Sequence, residues 1–242
     1  MVNSTHETLR GSRIIQQAFV DTGTPPMTHG TSIASLLVGE FREFQGLLPG
    51  ATLYSAAVFT QHHSGSIKAR ADSLAAALNW LVKQQVPAIN MNLVGSPNAL
   101  LQVAVRKTLE QGHAIIAAVG NDGPAAPLLY PAAYPGVIAV TAVDTNQHIY
   151  RRANRGQHVD FSAPGVKVRA ADPRGGYGTF SGTSYAAPVV SALLARRLKV
   201  PDVTHQQHVI AQLQQQATDM GASGRDPVFG YGLISGAQHV TQ

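Results

Sequence analysis

The chain has 242 residues, enough for one large domain with its own core, and a hydrophobic content of 44% excludes a disordered chain. Charged residues make up only 13%, and a net charge of +5 spread this thinly excludes a nucleic-acid-binding stripe. No apolar run approaches the roughly 18 residues of a membrane span, and the lack of cysteine removes disulfides, thiol catalysis and Cys-ligated zinc together.

The first residues, Met1-Val2-Asn3-Ser4-Thr5-His6, carry neither the basic nor the apolar region of a secretion signal. They also lack the apolar strand that normally opens an α/β domain. Further on, short apolar runs at 52–59, 88–94, 113–119 and 137–143 have the composition of buried parallel strands. Between the first two, residues 66–85 place Leu74, Leu78, Leu81 and Val82 on one helical face. Residues 97–111 form the next predicted helix, with Pro97 suited to its first turn and Gly112 to its stop. Two more helices are predicted at 184–199 and 204–216. No repeat, low-complexity tract or linker interrupts the chain, so 1–242 reads as one domain. The alternation of strand and helix predicts an α/β fold, a parallel sheet covered by helices on both faces.

Three segments carry residue types suited to chemistry. Thr28-His29-Gly30-Thr31-Ser32 puts a histidine at a helix start behind a Pro-rich loop, although a histidine there is equally an ordinary loop residue. Ala117-Ala118-Val119-Gly120-Asn121-Asp122-Gly123 runs a strand into a Gly-flanked Asn. Its amide can either stabilise a left-handed turn or be aimed over the strand ends as a donor. Phe180-Ser181-Gly182-Thr183-Ser184-Tyr185-Ala186-Ala187-Pro188 starts a helix whose N–H groups favour a developing anion, while Ser and Thr are also common caps.

Taken in order and at this spacing, His-Gly-Thr, Gly-Asn and Gly-Thr-Ser-x-Ala-x-Pro resemble the motifs of the subtilisin-like serine peptidases, family S8. Further similarities lie in Tyr130-Pro131-Ala132-Ala133-Tyr134-Pro135, Asp160-Phe161-Ser162-Ala163-Pro164-Gly165 and Gly230-Tyr231-Gly232-Leu233-Ile234. The resemblance covers nearly the whole chain. It implies a three-layer fold with a mostly parallel central sheet and helices on both faces. It also implies Ser184 as nucleophile, His29 as general base and Asn121 as oxyanion donor beside the Ser184 backbone N–H. Asn92, Leu93, Val94 and Gly95 are similar to the family's substrate-pairing strand, and Leu129 falls where the family's residue sits at the base of the pocket before the scissile bond. The implied partner is a peptide or protein substrate, with an upstream segment or pro-segment of the same parent protein as a second one, and the implied localisation is export. No cofactor or metal is implied; backbone oxygens around Ala132, Tyr134 and Val137 mark the one position for a weak cation.

The triad also needs a carboxylate. Phe19-Val20-Asp21-Thr22-Gly23 imitates the family's Asp-Thr/Ser-Gly turn, but Asp21 is only 8 residues before His29, much closer than the family's spacing. Moreover, His6-Glu7-Thr8-Leu9-Arg10-Gly11 resembles the stretch that follows the true aspartate. That register places the acid just before Met1 and reads Asp21 as a decoy, so the domain is expected to be N-terminally truncated relative to the family. A serine endopeptidase is therefore the leading expectation. The alternative is a catalytically dead peptide-binding protein on the same scaffold. An α/β-hydrolase esterase is excluded, because Ser184 lacks a Gly-x-Ser-x-Gly elbow and His29 precedes it.

Overall fold

The computed structural model describes residues 1–20, 25–61 and 67–235. In chain order the elements are β1 (Arg13–Ala18), α1 (Thr28–Val38), β2 (Glu40–Phe41), β3 (Phe44–Gln45), β4 (Thr52–Ala57), β5 (Phe59–Gln61), β6 (Ile67–Ala69), α2 (Ala71–Lys83), β7 (Ala88–Met91), α3 (Ala99–Glu110), β8 (Ala114–Ala118), β9 (Ile138–Val143), β10 (Val159–Pro164), β11 (Val168–Ala171), β12 (Tyr177–Phe180), α4 (Thr183–Arg197) and α5 (Val203–Gln216). Strands β7, β8, β9 and β10 form a parallel sheet in that spatial order, and β1 pairs in parallel with β4 as a separate two-stranded sheet.

Side-chain alternation along the strands creates two cores, one on each face. Ala114, Ile116, Ile138, Val140 and Phe161 join the α1, α4 and α5 side. Ile115, Ala117, Val119 and Ala139 join the α2 and α3 side. Burial on both faces explains why β8 is apolar at every position and has no polar alternation. Helix α4 packs across all four strands of this sheet. Ala186 and Ala187, both fully buried, are small enough for close approach. The three-layer α/β expectation agrees with this arrangement.

Local chemistry sets where the predicted elements stop. The 52–59 run divides because Phe59 leaves the sheet to pair with Ala69 in the β5–β6 hairpin. That hairpin also moves the start of the helix predicted at 66–85 to Ala71, since Ile67–Ala69 are held extended by pairing with β5; Ser66 lies outside the described residues. Helix α2 then buries Leu74, Ala77, Leu78 and Leu81 along one stripe. The helix predicted from Pro97 begins at Ala99, because Asn98 is the cap and its side chain accepts from the Leu101 N–H at 3.1 Å. Strand β1 escapes a hydrophobic-run reading because Gln16 and Gln17 interrupt it and Ile15 is 46% exposed.

The C-terminal strip is tied to β10. Ser162 accepts from Ile234 N–H at 2.8 Å and donates its own N–H to Gly232 at 2.9 Å. Buried Asp226 organises the approach: its carboxylate accepts backbone N–H bonds from Ala222, Val228 and Phe229 at 2.7–3.0 Å. The Asp226→Ala variant leaves these donors unmatched, and urea denaturation should show a loss of about 2–4 kcal/mol with an unchanged slope.

Candidate active site

The loop after β8 and the first turn of α4 are joined by one residue. Thr183 donates its backbone N–H to Asn121 Oδ1 at 3.0 Å, and its hydroxyl accepts from the Gly120 N–H at 3.2 Å. The same hydroxyl lies 3.3 Å from both the Gly120 carbonyl and Asn121 Oδ1, donating to one at a time. With Oδ1 committed to Thr183, the Asn121 amide has a fixed orientation. Its Nδ2 has no hydrogen-bond partner among the described residues and stays available as a donor. Gly120 has φ +108°, and a Cβ there would meet Leu129 Cδ1 at 2.6 Å, so glycine is required.

Ser184 is the second residue of α4, half-buried, directly after the Thr183 clamp. Its Oγ makes no hydrogen bond among the described residues, so a direct Ser184–His29 bond is not formed here. His29 is nevertheless close by, its ring edge-on to Tyr185 with centroids 5.7 Å apart. Tyr185 also stacks on Phe180 at 5.3 Å, and burial pushes its hydroxyl pKa up to about 12. The structure thus brings His29, Asn121 and Ser184 to one place, through the residues on either side of Ser184.

Asn92, Leu93 and Val94 extend β7 past its last paired residue, and Gly95 exchanges two backbone hydrogen bonds of 2.9 Å with Tyr130. Val94 is exposed and the space around Gly95 is open, so this edge can accept an extended peptide. Leu129 is half-buried against Gly120, on the loop that presents Asn121. Of the suggested cation position, the Tyr134 carbonyl already accepts from the Val137 N–H at 3.2 Å. Among the described residues no group of three or more His, Asp or Glu side chains could hold a metal ion. Sequence reasoning missed the clamp role of Thr183 and the His29 contact of Tyr185; both belong to the Gly-Thr-Ser-Tyr motif, but their partners are distant in sequence.

No carboxylate pairs with His29 among the described residues, and Asp21 lies outside them. The ring stands at the lip of a large cavity, still exposed on one side. Surrounding protein lowers its pKa first, a hydrogen bond to the Asn92 backbone raises it, and the positive N-terminus lowers it again. The net direction is downward from the ordinary value. The folded state therefore disfavours the imidazolium, and this contribution to stability is present above the ordinary histidine pKa of ~6.5 and lost as pH falls through the lowered one. An NMR titration, with His29→Ala identifying the signal, should give a midpoint below that of a free histidine; a midpoint above it would contradict the local charge balance.

Comparison with known proteins agrees with this geometry. Residues 14–232 match the model of the subtilase family, Peptidase_S8. The chain is 34% identical over 210 residues to the minor extracellular protease Epr of Bacillus subtilis, covering 85% of this chain and 32% of that protein. It is 32% identical over 229 residues to subtilisin amylosacchariticus of Bacillus subtilis subsp. amylosacchariticus, covering 90% of this chain and 58% of that one. It therefore spans about a third and just under three-fifths of these two relatives. Among solved structures, Sphericase superposes with a TM-score of 0.81 at 28% identity, covering 98% of this chain and 88% of that one. A parallel sheet between two helical layers and a clamped Gly-Asn loop facing Gly-Thr-Ser, with a family match over nearly the whole chain, place this protein in the subtilase family.

Proposed function

We propose that the protein is a serine endopeptidase acting through an acyl-enzyme, with Ser184 as nucleophile, His29 as general base and Asn121 as oxyanion donor. The observation that carries this reading is the Thr183 clamp. It spends Asn121 Oδ1 on the protein and leaves Nδ2 beside the first turn of α4, where the Ser184 N–H is a second donor. Substrate pairs along Asn92, Leu93, Val94 and Gly95. Ser184 Oγ attacks the scissile carbonyl carbon as His29 takes its proton, and the negative oxygen settles between the two donors. His29 then returns the proton to the leaving amine, the C–N bond breaks and an ester remains on Ser184. Water, deprotonated by His29, hydrolyses that ester and frees the serine.

The carboxylate that would orient His29 belongs, in this proposal, to a strand ahead of Met1, with Asp21 as a bystander. Without it the rate falls by about 10⁴, but the nucleophile and oxyanion hole remain. One domain spanning 1–242, an exported protein, an upstream segment or pro-segment of the same parent as partner, and a peptide or protein substrate complete the reading. No helix among the described residues is long and apolar enough to cross a membrane.

Prolonged incubation with a fluorophosphonate should modify Ser184, as read by peptide mass mapping, and the label should vanish in Ser184→Ala. Asn121→Ala should slow labelling by roughly 10²–10³, the scale known for this donor in a subtilisin. Label on another residue, or none, assigns the fold to a non-catalytic peptide binder instead. Specificity gives a separate expectation. Leu129 occupies volume that a large aromatic substrate group would need, at a cost of about 1–3 kcal/mol, or roughly 5- to 150-fold in kcat/KM. Profiling with a peptide library should show a preference for Ala- or Leu-sized residues before the cleaved bond. Leu129→Gly should move it toward Phe and Tyr, and an aromatic preference unchanged by that substitution would refute the role of Leu129.

A further inference from the structure

His29 sits in the first turn of α1, ahead of a run from Thr31 to Val38 that is buried throughout, yet it is itself exposed. Two contacts meet its ring. One is the hydrogen bond to the Asn92 backbone, and the other is the edge-on contact with Tyr185, whose plane lies at 81° to the imidazole. A single hydrogen bond fixes one point of a ring and leaves it free to turn. An aromatic neighbour at this separation and angle fixes the plane as well. Tyr185 follows Ser184 in the first turn of α4, so the residue that touches the candidate base shares a backbone with the candidate nucleophile.

Tyr185 is held from behind. Phe180 of β12 stacks on it with ring planes 20° apart, and the Phe180 ring folds back over Gly178, where a Cβ would meet its Cζ at 2.8 Å. The partner strand β11 is bonded to α1 at Ala171. Ser35 Oγ accepts from the Ala171 N–H at 2.9 Å, and Ser32 Oγ donates to the Ala171 carbonyl at 2.8 Å. With β11 paired to β12, contacts run from α1 through both strands to Phe180, then to Tyr185 and back to His29 on α1. The circuit is closed, so a shift of one member disturbs the packing of the next.

We propose that Tyr185 is the positioning residue of the base: its ring, backed by Phe180, fixes the plane and rotamer of the His29 imidazole beside Ser184. An exposed histidine otherwise samples several staggered rotamers. The edge-on preference of an aromatic pair is enough to favour one of them about 3- to 10-fold over its competitors. Proton transfer needs the base within hydrogen-bond reach of the serine hydroxyl, so the share of time spent in that rotamer multiplies the rate. The ring and not the hydroxyl carries the effect, because Tyr185 Oη makes no hydrogen bond among the described residues. An aliphatic side chain would fill the same space without selecting a ring plane. The effect on rate rests on the reading of His29 as general base; the effect on the geometry of the imidazole does not.

The test uses the intact chain and two readouts. Three-bond NMR couplings at the His29 Cβ, with signals identified by His29→Ala, should report one rotamer in the wild type and in Tyr185→Phe. In Tyr185→Leu they should average over several. Gly178→Ala provides a variant that leaves α4 untouched: the backbone at Gly178 is not left-handed, and the added methyl meets only the far end of the Phe180 ring. It should fold normally, displace Phe180 and average the His29 couplings as well. Fluorophosphonate labelling of Ser184 should slow about 3- to 10-fold in Tyr185→Leu and in Gly178→Ala, and Tyr185→Phe should recover it to within about 2-fold. In a His29→Ala background Tyr185→Leu should slow labelling no further, since the two residues act in series. A single His29 rotamer in Tyr185→Leu, no recovery by Tyr185→Phe, or equal slowing with and without His29 would each overturn the proposal. A wild type that takes no label refutes the peptidase reading instead, and the couplings alone then decide the role of Tyr185.

Discussion

The Thr183 clamp is the contact on which the rest of the candidate site depends. A backbone N–H and a hydroxyl, both fully buried, join the end of β8 to the start of α4 by bonds to Gly120 and Asn121. Three properties follow. The Asn121 amide cannot flip, because its oxygen is the partner of Thr183. Ser184, one residue on, is held at the helix N-terminus, where unsatisfied N–H groups and the helix dipole favour negative charge. Gly182, with φ +153°, leaves room for both, since a Cβ at that position would lie only 3.4 Å from Asn121 Oδ1.

The clamp is only as rigid as the parts it joins. Strand β8 is almost wholly excluded from solvent and paired on both sides, and α4 spans the four-stranded sheet with alanines at its closest approach. Close packing of this kind transmits position, since a displaced helix would open voids against several strands at once. An oxyanion donor gains its effect from being fixed before charge develops, so a buried scaffold suits it better than a mobile loop.

What was legible in the sequence follows the same division. Elements with continuous or strictly periodic apolar patterns, such as β8, β9 and α2, could be read because their burial is decided by a few neighbouring residues. Strand β1 could not, since it is half exposed and owes its conformation to β4. The β5–β6 hairpin overrode a helical pattern for a related reason: pairing between Gln61 and Ile67 is a tertiary choice that local periodicity does not encode. At the site, motif spacing brought out His29, Asn121 and Ser184. The Thr183–Asn121 bond, 62 residues apart in sequence, is a property of the folded chain alone.

The two halves of the site therefore stand on foundations of unequal strength. The oxyanion half rests on β8 and α4, where edges are paired and side chains packed on both faces. The base half rests on α1 and on the unpaired edges of β4 and β7, beside a cavity that both cores border. Unpaired edges lower the free energy of local opening, so the β4 and β7 edges contribute less to holding this half than the paired edges of β8 do to the other. Its electrostatics agree, because His29 is pushed toward neutrality and Asn92 keeps a buried amide without a partner.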